Sequence, residues 1–383
     1  MQRPGRPFEV AIIGAGITGL SIALNLARRG VENVAVFDKA GIGAGASGVQ
    51  PGGVRRQWGT RLNCLLSIES FDFFVRLGDE FGIAGAPLLE RCGYLFVADT
   101  EATLERMHRD VELQRSLGIP SEILDATDLP GVVPGFQIDG AIGAAFCRDD
   151  AYFDRPQGVV DCFAQAAVRG GVLIEQLGLV QLQRNGDTWV LELTDGSRAA
   201  ADTVVVAAGH ESTGLLRPLG IELPIDAQAK HLFLSEPIAE RLLEPLVVLV
   251  DRHFAAKHLA SGRLLASDLA ASGAAETNVQ AWRAHIRSCI ERVLPLLTYV
   301  SFSVIAEGSY DMTPDHQPIV CEVGDQAGLW VAAGFSGHGF MMAPAIGRMV
   351  SEAIVESKVD PLLEQLQLDR FAEGTLEAET AVV

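Results

Sequence analysis

The chain has 383 residues, 48% of them hydrophobic and 21% charged, with a net charge of −19 at pH 7. That length supports two domains with sizeable cores, and the composition excludes a disordered chain. The acidity, with no basic stripe in view, excludes a nucleic-acid backbone as partner.

Met1 to Pro7 is short and polar, so no signal peptide is expected. Val10 to Ile13 then reads as a strand, followed by Gly14-Ala15-Gly16-Ile17-Thr18-Gly19, a helical run to Arg29, and a second strand, Val34 to Phe37, ending on Asp38. Strand, Gly-x-Gly-x-x-Gly turn, helix, strand and acid make the dinucleotide-binding fingerprint in full context. Gly14 permits the turn, Gly16 clears space for a pyrophosphate, and Gly19 lets helix and sheet approach. The helix N-terminus offers free N–H groups to the anion. Asp38, nineteen residues after Gly19, is placed to accept from ribose hydroxyls.

Gly41 to Gly53 is a second glycine-rich stretch. Arg61–Leu77 and Thr100–Leu117 carry helical spacing, Gly93–Ala98 reads as a strand, and Leu129–Gly135 as a loop. A helix is expected from Arg155-Pro156 to Gly170. Strands follow over Val172–Glu175, Leu179–Arg184, Thr188–Thr194 and Thr203–Ala207, the last closing on Ala208-Gly209. Further strands are expected within Ile221–Leu234, Leu264–Asp268 and Leu329–Ala332, and helices over Glu276–Leu294 and Ala343–Val355, with Pro344 in the first turn of the last. The charged tail from Leu368 reads as mobile or as an edge helix. Six cysteines, Cys64, Cys92, Cys147, Cys162, Cys289 and Cys321, show no metal or redox spacing. No apolar run reaches membrane-spanning length, and a reducing, cytoplasmic location is the expectation.

Four segments together carry a family resemblance: Gly14–Gly19 with Asp38, Ala44-Gly45-Ala46-Ser47-Gly48, Tyr310-Asp311-Met312-Thr313-Pro314-Asp315, and Ala332 to Phe340 with its Gly-His-Gly motif. In this order they resemble the D-amino-acid oxidase superfamily of FAD-dependent oxidoreductases. Sarcosine oxidase, glycine oxidase, dimethylglycine dehydrogenase and proline dehydrogenase β subunits are similar. The resemblance implies an α/β fold: a Rossmann-type FAD-binding domain (1–84, 146–215 and 321–383) with an inserted antiparallel-sheet substrate domain (85–145 and 216–320). It implies FAD held by Gly14, Ala15, Gly16, Ile17, Thr18, Gly19, Asp38, Lys39, Ala46, Ser47, Gly48, Val180, Ala208, Gly209, Gly334, Ser336, Gly337, His338, Gly339, Phe340 and Met341.

The resemblance also implies the chemistry: oxidation of a small secondary or N-methylated amino acid, with a further electron acceptor, oxygen or a partner subunit or carrier. A homo- or hetero-oligomer is compatible with it. An arginine fork suits the substrate carboxylate. Arg55 is the candidate and Arg56 its competitor; a solvated surface arginine is the alternative. Tyr310 matches a substrate-facing tyrosine, or is a packed aromatic. His338 lies in the glycine loop, as a structural group or as a base. Gly308 stands where a covalently flavinylated relative has cysteine, so FAD is expected to be non-covalent. Met341 and Leu265 stand where fast oxidases carry lysines, with Lys257 or His258 as substitute cations. These departures favour a dehydrogenase. The rivals are a 2-hydroxy-acid oxidoreductase, needing a histidine base, and a non-catalytic flavoprotein assembly partner.

Overall fold

The computed structural model describes residues 6–83, 85–271, 275–374 and 377–381. Residues 1–5 of the stretch bearing on a signal peptide lie outside them.

The fingerprint strand Phe8–Ile13 sits in the middle of an eight-stranded sheet. It pairs in parallel with Val34–Phe37 on one side and with Arg198–Val206 on the other. Leu173–Glu175 extends the parallel set beyond Val34–Phe37. Arg198–Val206 is longer than expected because it serves two neighbours besides Phe8–Ile13. Its first half pairs antiparallel with Thr188–Leu193, and its last residues pair in parallel with Leu329–Ala333. Alternate residues of the central strand feed two cores. Val10 and Ile12 face the helices Ile17–Arg28, Arg61–Val75, Pro156–Arg169 and Gly339–Glu356. Ala11 and Ile13 face the core built on Trp189, Leu191 and Leu216.

The second sheet also has eight strands, in the order Phe302–Met312, Asp226–Ser235, Leu264–Asp268, Phe254–His258, Leu246–Leu249, Tyr94–Ala98, Gly143–Cys147, Glu122–Asp125. It is not wholly antiparallel as expected: Leu246–Leu249 runs parallel to Tyr94–Ala98. The cause is a long connection that returns the chain to this sheet from the first one. Gly143–Cys147 straddles the expected boundary between 145 and 146. Helix Ala275–Val293 covers one face and Glu101–Ser116 the other. A small sheet of Gly53–Val54, Ala151–Phe153 and Leu89–Arg91 lies between the two large ones in the chain's path.

Three readings change in detail. Leu129–Val132 forms a short helix rather than loop, with Pro130 in its first turn. The last long helix starts at Gly339, not near Ala343, so Pro344 lies inside it and the helix N-terminus belongs to the glycine loop itself. The tail is not peripheral. After the short helix Arg370–Glu373, Glu379 is 1% exposed. Its carboxylate accepts from the Gly59 and Thr60 N–H groups at 2.9 and 3.1 Å and from Asn63 Nδ2 at 3.0 Å. These are unsatisfied donors at the start of helix Arg61–Val75, which an anion suits.

Candidate active site

The parallel strands of the first sheet all end on one edge. There, Ile13, Phe37, Val206 and Ala333 hand over to Gly14, Asp38, Ala207 and Gly334. Ligands of open α/β sheets bind at this edge. A groove of about 620 Å³ opens there. Its walls include Gly14, Gly16, Ile17, Thr18, Asp38, Lys39, Ala46, Ser47, Ala208, Gly209, Gly337, Gly339 and Phe340.

Local chemistry shapes this groove. Gly14 has φ +113°, and a Cβ there would stand 2.3 Å from the Ala207 carbonyl oxygen. No other residue type fits. Asp38 accepts from Ala15 N–H through Oδ2 at 2.8 Å, and from Ala40 and Gly41 N–H through Oδ1. It therefore clamps the turn it follows as well as facing the groove. Ser47 Oγ accepts from Ile17 N–H at 3.0 Å, tying the second glycine-rich stretch to the first helix turn. Lys39 reaches Glu211 at 2.7 Å on the surface.

Some expected residues lie off the groove. Ala15, Gly19, Gly48, Gly334, Ser336, His338 and Met341 stand behind its lining. Val180 is 60% exposed; a register shift between Leu179 and Gln181 turns it outward, and Gly178, Leu179 and Thr194 line the groove instead. Asp311, which lines the groove, accepts from Gly334 N–H through Oδ2 at 2.7 Å, and behind it Ser336 Oγ accepts from Thr313 N–H at 3.2 Å. These bonds bind the two C-terminal motif segments into one unit.

Arg55 and His338 come together beside Tyr310, which lines the groove. Arg55 is 1% exposed. Its guanidinium donates to the Gln57 and Ala381 carbonyls and lies on the Trp58 ring, 3.6 Å from its centroid. Burial lowers its pKa, with Tyr94 the largest opposing influence. No carboxylate lies within 4.0 Å of it among the described residues. The rival Arg56 is committed to buried Asp150, Nε to Oδ1 at 3.2 Å. Trp58 in turn meets the His338 ring at a centroid distance of 4.3 Å. His338 is 3% exposed, and burial, with Arg55 next, holds its pKa well below the usual histidine range. The imidazole is therefore neutral. Tyr310 packs under the glycine loop: a Cβ on Gly337, which has φ +87°, would stand 2.4 Å from its ring. Burial raises the Tyr310 pKa while Arg55 lowers it.

Trp58 and Glu379 carry no periodic or motif signal of their own as functional residues, and Asp311 was legible only as part of its motif segment.

The groove and its surroundings fit FAD. It is long, passes the fingerprint turn and helix N-terminus, and reaches the glycine loop. There, both His338 ring nitrogens are buried with no hydrogen-bond partner among the described residues. Residues 9–353 match the family model described as FAD dependent oxidoreductase. The chain belongs to that family. Its cofactor is FAD, and it is an oxidoreductase.

The chain is 27% identical over 363 residues to 4-methylaminobutanoate oxidase (formaldehyde-forming) of Paenarthrobacter nicotinovorans, covering 91% of this chain and 43% of that protein. It is 25% identical to glycine oxidase of Geobacillus kaustophilus, covering 92% and 93%. This chain thus spans under half of the first relative and nearly all of the second. In solved structures, the fold is that of L-proline dehydrogenase from P. horikoshii, with a TM-score of 0.89 at 24% identity over 97% of this chain and 100% of that one. Among the described residues no helix is long and apolar enough to cross a membrane.

Proposed function

We propose that this flavoenzyme oxidises the carbon–nitrogen bond of a small secondary or N-methylated amino acid to an imine, which water then hydrolyses. The observation that carries the reading is Arg55: a buried guanidinium, stacked on Trp58 beside His338, with no carboxylate within 4.0 Å among the described residues and with Glu379 and Asp150 acting on it only from further off. A buried cation without an anion is costly unless a ligand supplies one. An amino acid's carboxylate does so and matches the guanidinium fork. The relative that acts on 4-methylaminobutanoate, and those named for glycine and sarcosine, support an amine donor.

In this reading the bound flavin supplies the hydride acceptor. The residues do the rest. Arg55 orients the substrate carboxylate. The Tyr310 hydroxyl gives it a second donor. The Trp58 face and the glycine loop exclude water. Neutral His338 would offer its unpartnered ring nitrogens to the bound cofactor and does not take the amine proton. The FAD would be gripped by the groove residues given above, and the substrate held between the proposed flavin domain and the inserted one (85–145 and 216–320). A dehydrogenase is favoured, with oxygen or a partner subunit as acceptor. Six unpaired cysteines are compatible with the cytoplasm.

The 2-hydroxy-acid rival needs a base. His338 is held unprotonated at low basicity. His258 is committed on both sides: its Nδ1 accepts from Leu242 N–H and its Nε2 meets the Gly262 carbonyl. The test is anaerobic reduction of the holoenzyme flavin by a panel of N-methyl amino acids and 2-hydroxy acids. Bleaching by the amines supports the proposal. Bleaching by hydroxy acids alone, or by neither class, removes it.

A further inference from the structure

Beside Tyr310, on the strand paired with its own, stands a second cation that amine oxidation does not use. Lys230 lies on strand Asp226–Ser235, directly opposite Gly308 of Phe302–Met312. Opposed residues of an antiparallel pair project to one face, and so does the residue two further along, Tyr310. The Lys230 ammonium sits 5.6 Å from the Tyr310 ring centroid. It donates to the Leu269 carbonyl at 3.0 Å. An ammonium has three donors, and this contact uses one.

No carboxylate lies within 4.0 Å of Lys230 among the described residues. The acid acting on it is Asp268, whose Oδ1 accepts from Ala270 N–H. Lys257, also on this sheet, differs. It is wholly buried, closed in by the Pro51 carbonyl and the Tyr152 ring. Lys230 is only partly buried and keeps donors to offer. A chain with a net charge of −19 has acids to spare. Among the described residues none lies within 4.0 Å of Arg55 or Lys230, the two cations that influence or touch Tyr310; Glu379 and Asp150 act on Arg55, and Asp268 on Lys230, from further off. One carboxylate answers Arg55, and the donors that Lys230 keeps beyond its Leu269 contact can take a second.

We propose that Lys230 is a specificity-determining residue that receives a second carboxylate, so that the preferred substrate is an N-alkylated amino acid with an acidic side chain. The proposal rests on the amine-oxidation reading for the word substrate, but the anion site itself does not.

The first test needs no turnover. Calorimetric titration of the FAD-loaded enzyme compares glutarate, a dianion, with butanoate, a monoanion of similar chain. Glutarate should bind about tenfold or more tightly, and Lys230→Met should lose that preference while Lys230→Arg keeps it. Equal binding of the two acids, no binding of glutarate, or a preference that survives Lys230→Met overturns the proposal. The wild-type comparison stands even if the variant does not fold. Loss of FAD from Lys230→Met with an unchanged preference in the refilled protein assigns Lys230 to the cofactor and also overturns it.

The second test compares anaerobic flavin reduction by N-methyl-L-glutamate and N-methyl-L-norvaline. Lys230→Met should shrink the ratio of their half-saturating concentrations by about tenfold. A ratio that does not move overturns the proposal. If neither amine bleaches the flavin while the Lys230-dependent glutarate preference holds, the amine reading fails and the anion site stands.

Discussion

The guanidinium carbon of Arg55 lies 3.6 Å from the centre of the Trp58 ring. This contact fixes the fork in one plane and leaves its remaining N–H groups to a ligand. A charge-assisted pair lost from a buried site costs about 2 kcal/mol or more, on the order of 30-fold. Arg55→Ala should therefore raise KM for a carboxylate substrate by that factor and change KM for the corresponding amide much less. Steady-state kinetics on the two substrates check it. Equal effects would assign Arg55 to holding the Gln57 and Ala381 carbonyls alone.

Gly308 bears on how the flavin is kept. A Cβ there would stand 3.0 Å from the Val49 carbonyl oxygen, so the strand and the second glycine-rich stretch touch at this point. Glycine also has no atom to form a bond to the cofactor. Acid precipitation should release the yellow chromophore into the supernatant. Colour retained in the washed pellet contradicts non-covalent FAD.

Lys257 offers a pH-dependent test of the oxygen reaction. Burial pushes its ammonium down to about 7. Leu265, where fast oxidases were expected to carry lysine, lies directly across the strand pair from it. A cation near the flavin stabilises the superoxide formed on reoxidation. The amine is charged below its pKa and neutral above it. Reoxidation in air should thus be slow, should slow further from about pH 6 to about pH 8.5, and should lose this dependence in Lys257→Met. Stopped-flow absorbance against oxygen concentration measures it. A dependence that persists in the variant excludes Lys257.

Asp110 reports on the buried tail. Burial, reinforced by Glu379, raises its carboxyl to about 6. The unfolded value is about 3.9, so between these pH values the folded protein binds more protons. Its contribution to stability falls as pH rises through that window and stays low above it. Asp110→Asn should raise Tm more at about pH 7.5 than at about pH 4. Thermal melts at both pH values decide it; equal shifts would place Asp110 in ordinary solvent.

Glu379 is the other end of that relationship. Glu379→Ala leaves the Gly59 and Thr60 N–H groups buried without acceptors, at about 1–3 kcal/mol each. A clear fall in Tm is expected, together with a higher KM, because Ala381 also holds Arg55. Chemical denaturation and kinetics test both effects. An unchanged midpoint would mean the tail is not packed as described.

Local rules made much of this protein legible. The fingerprint needs a turn glycine, a strand and a helix within thirty residues or so, and short-range pattern reports such units well. Hence Gly14, Gly16, Asp38 and Ser47 were found where the groove is. The outward turn of the Val180 side chain was not legible, because a register shift changes the face a strand residue presents and no periodicity announces it. The final helix began four residues early because the glycine loop, a breaker by composition, is pinned by Asp311 and Thr313 from another strand.

Sequence alone determined the family, the cofactor and the central strand–turn–helix unit, since each depends on residue types at fixed short spacings. Only the tertiary structure decided which cations stand without a carboxylate within 4.0 Å among the described residues. Arg55, Lys230 and Lys257 look alike as basic residues in a chain rich in acids. Whether a carboxylate reaches them depends on strand register and on where the tail returns, some three hundred residues after Arg55. Burial then sets their charge and their need for an anion, and burial is a property of the packed chain.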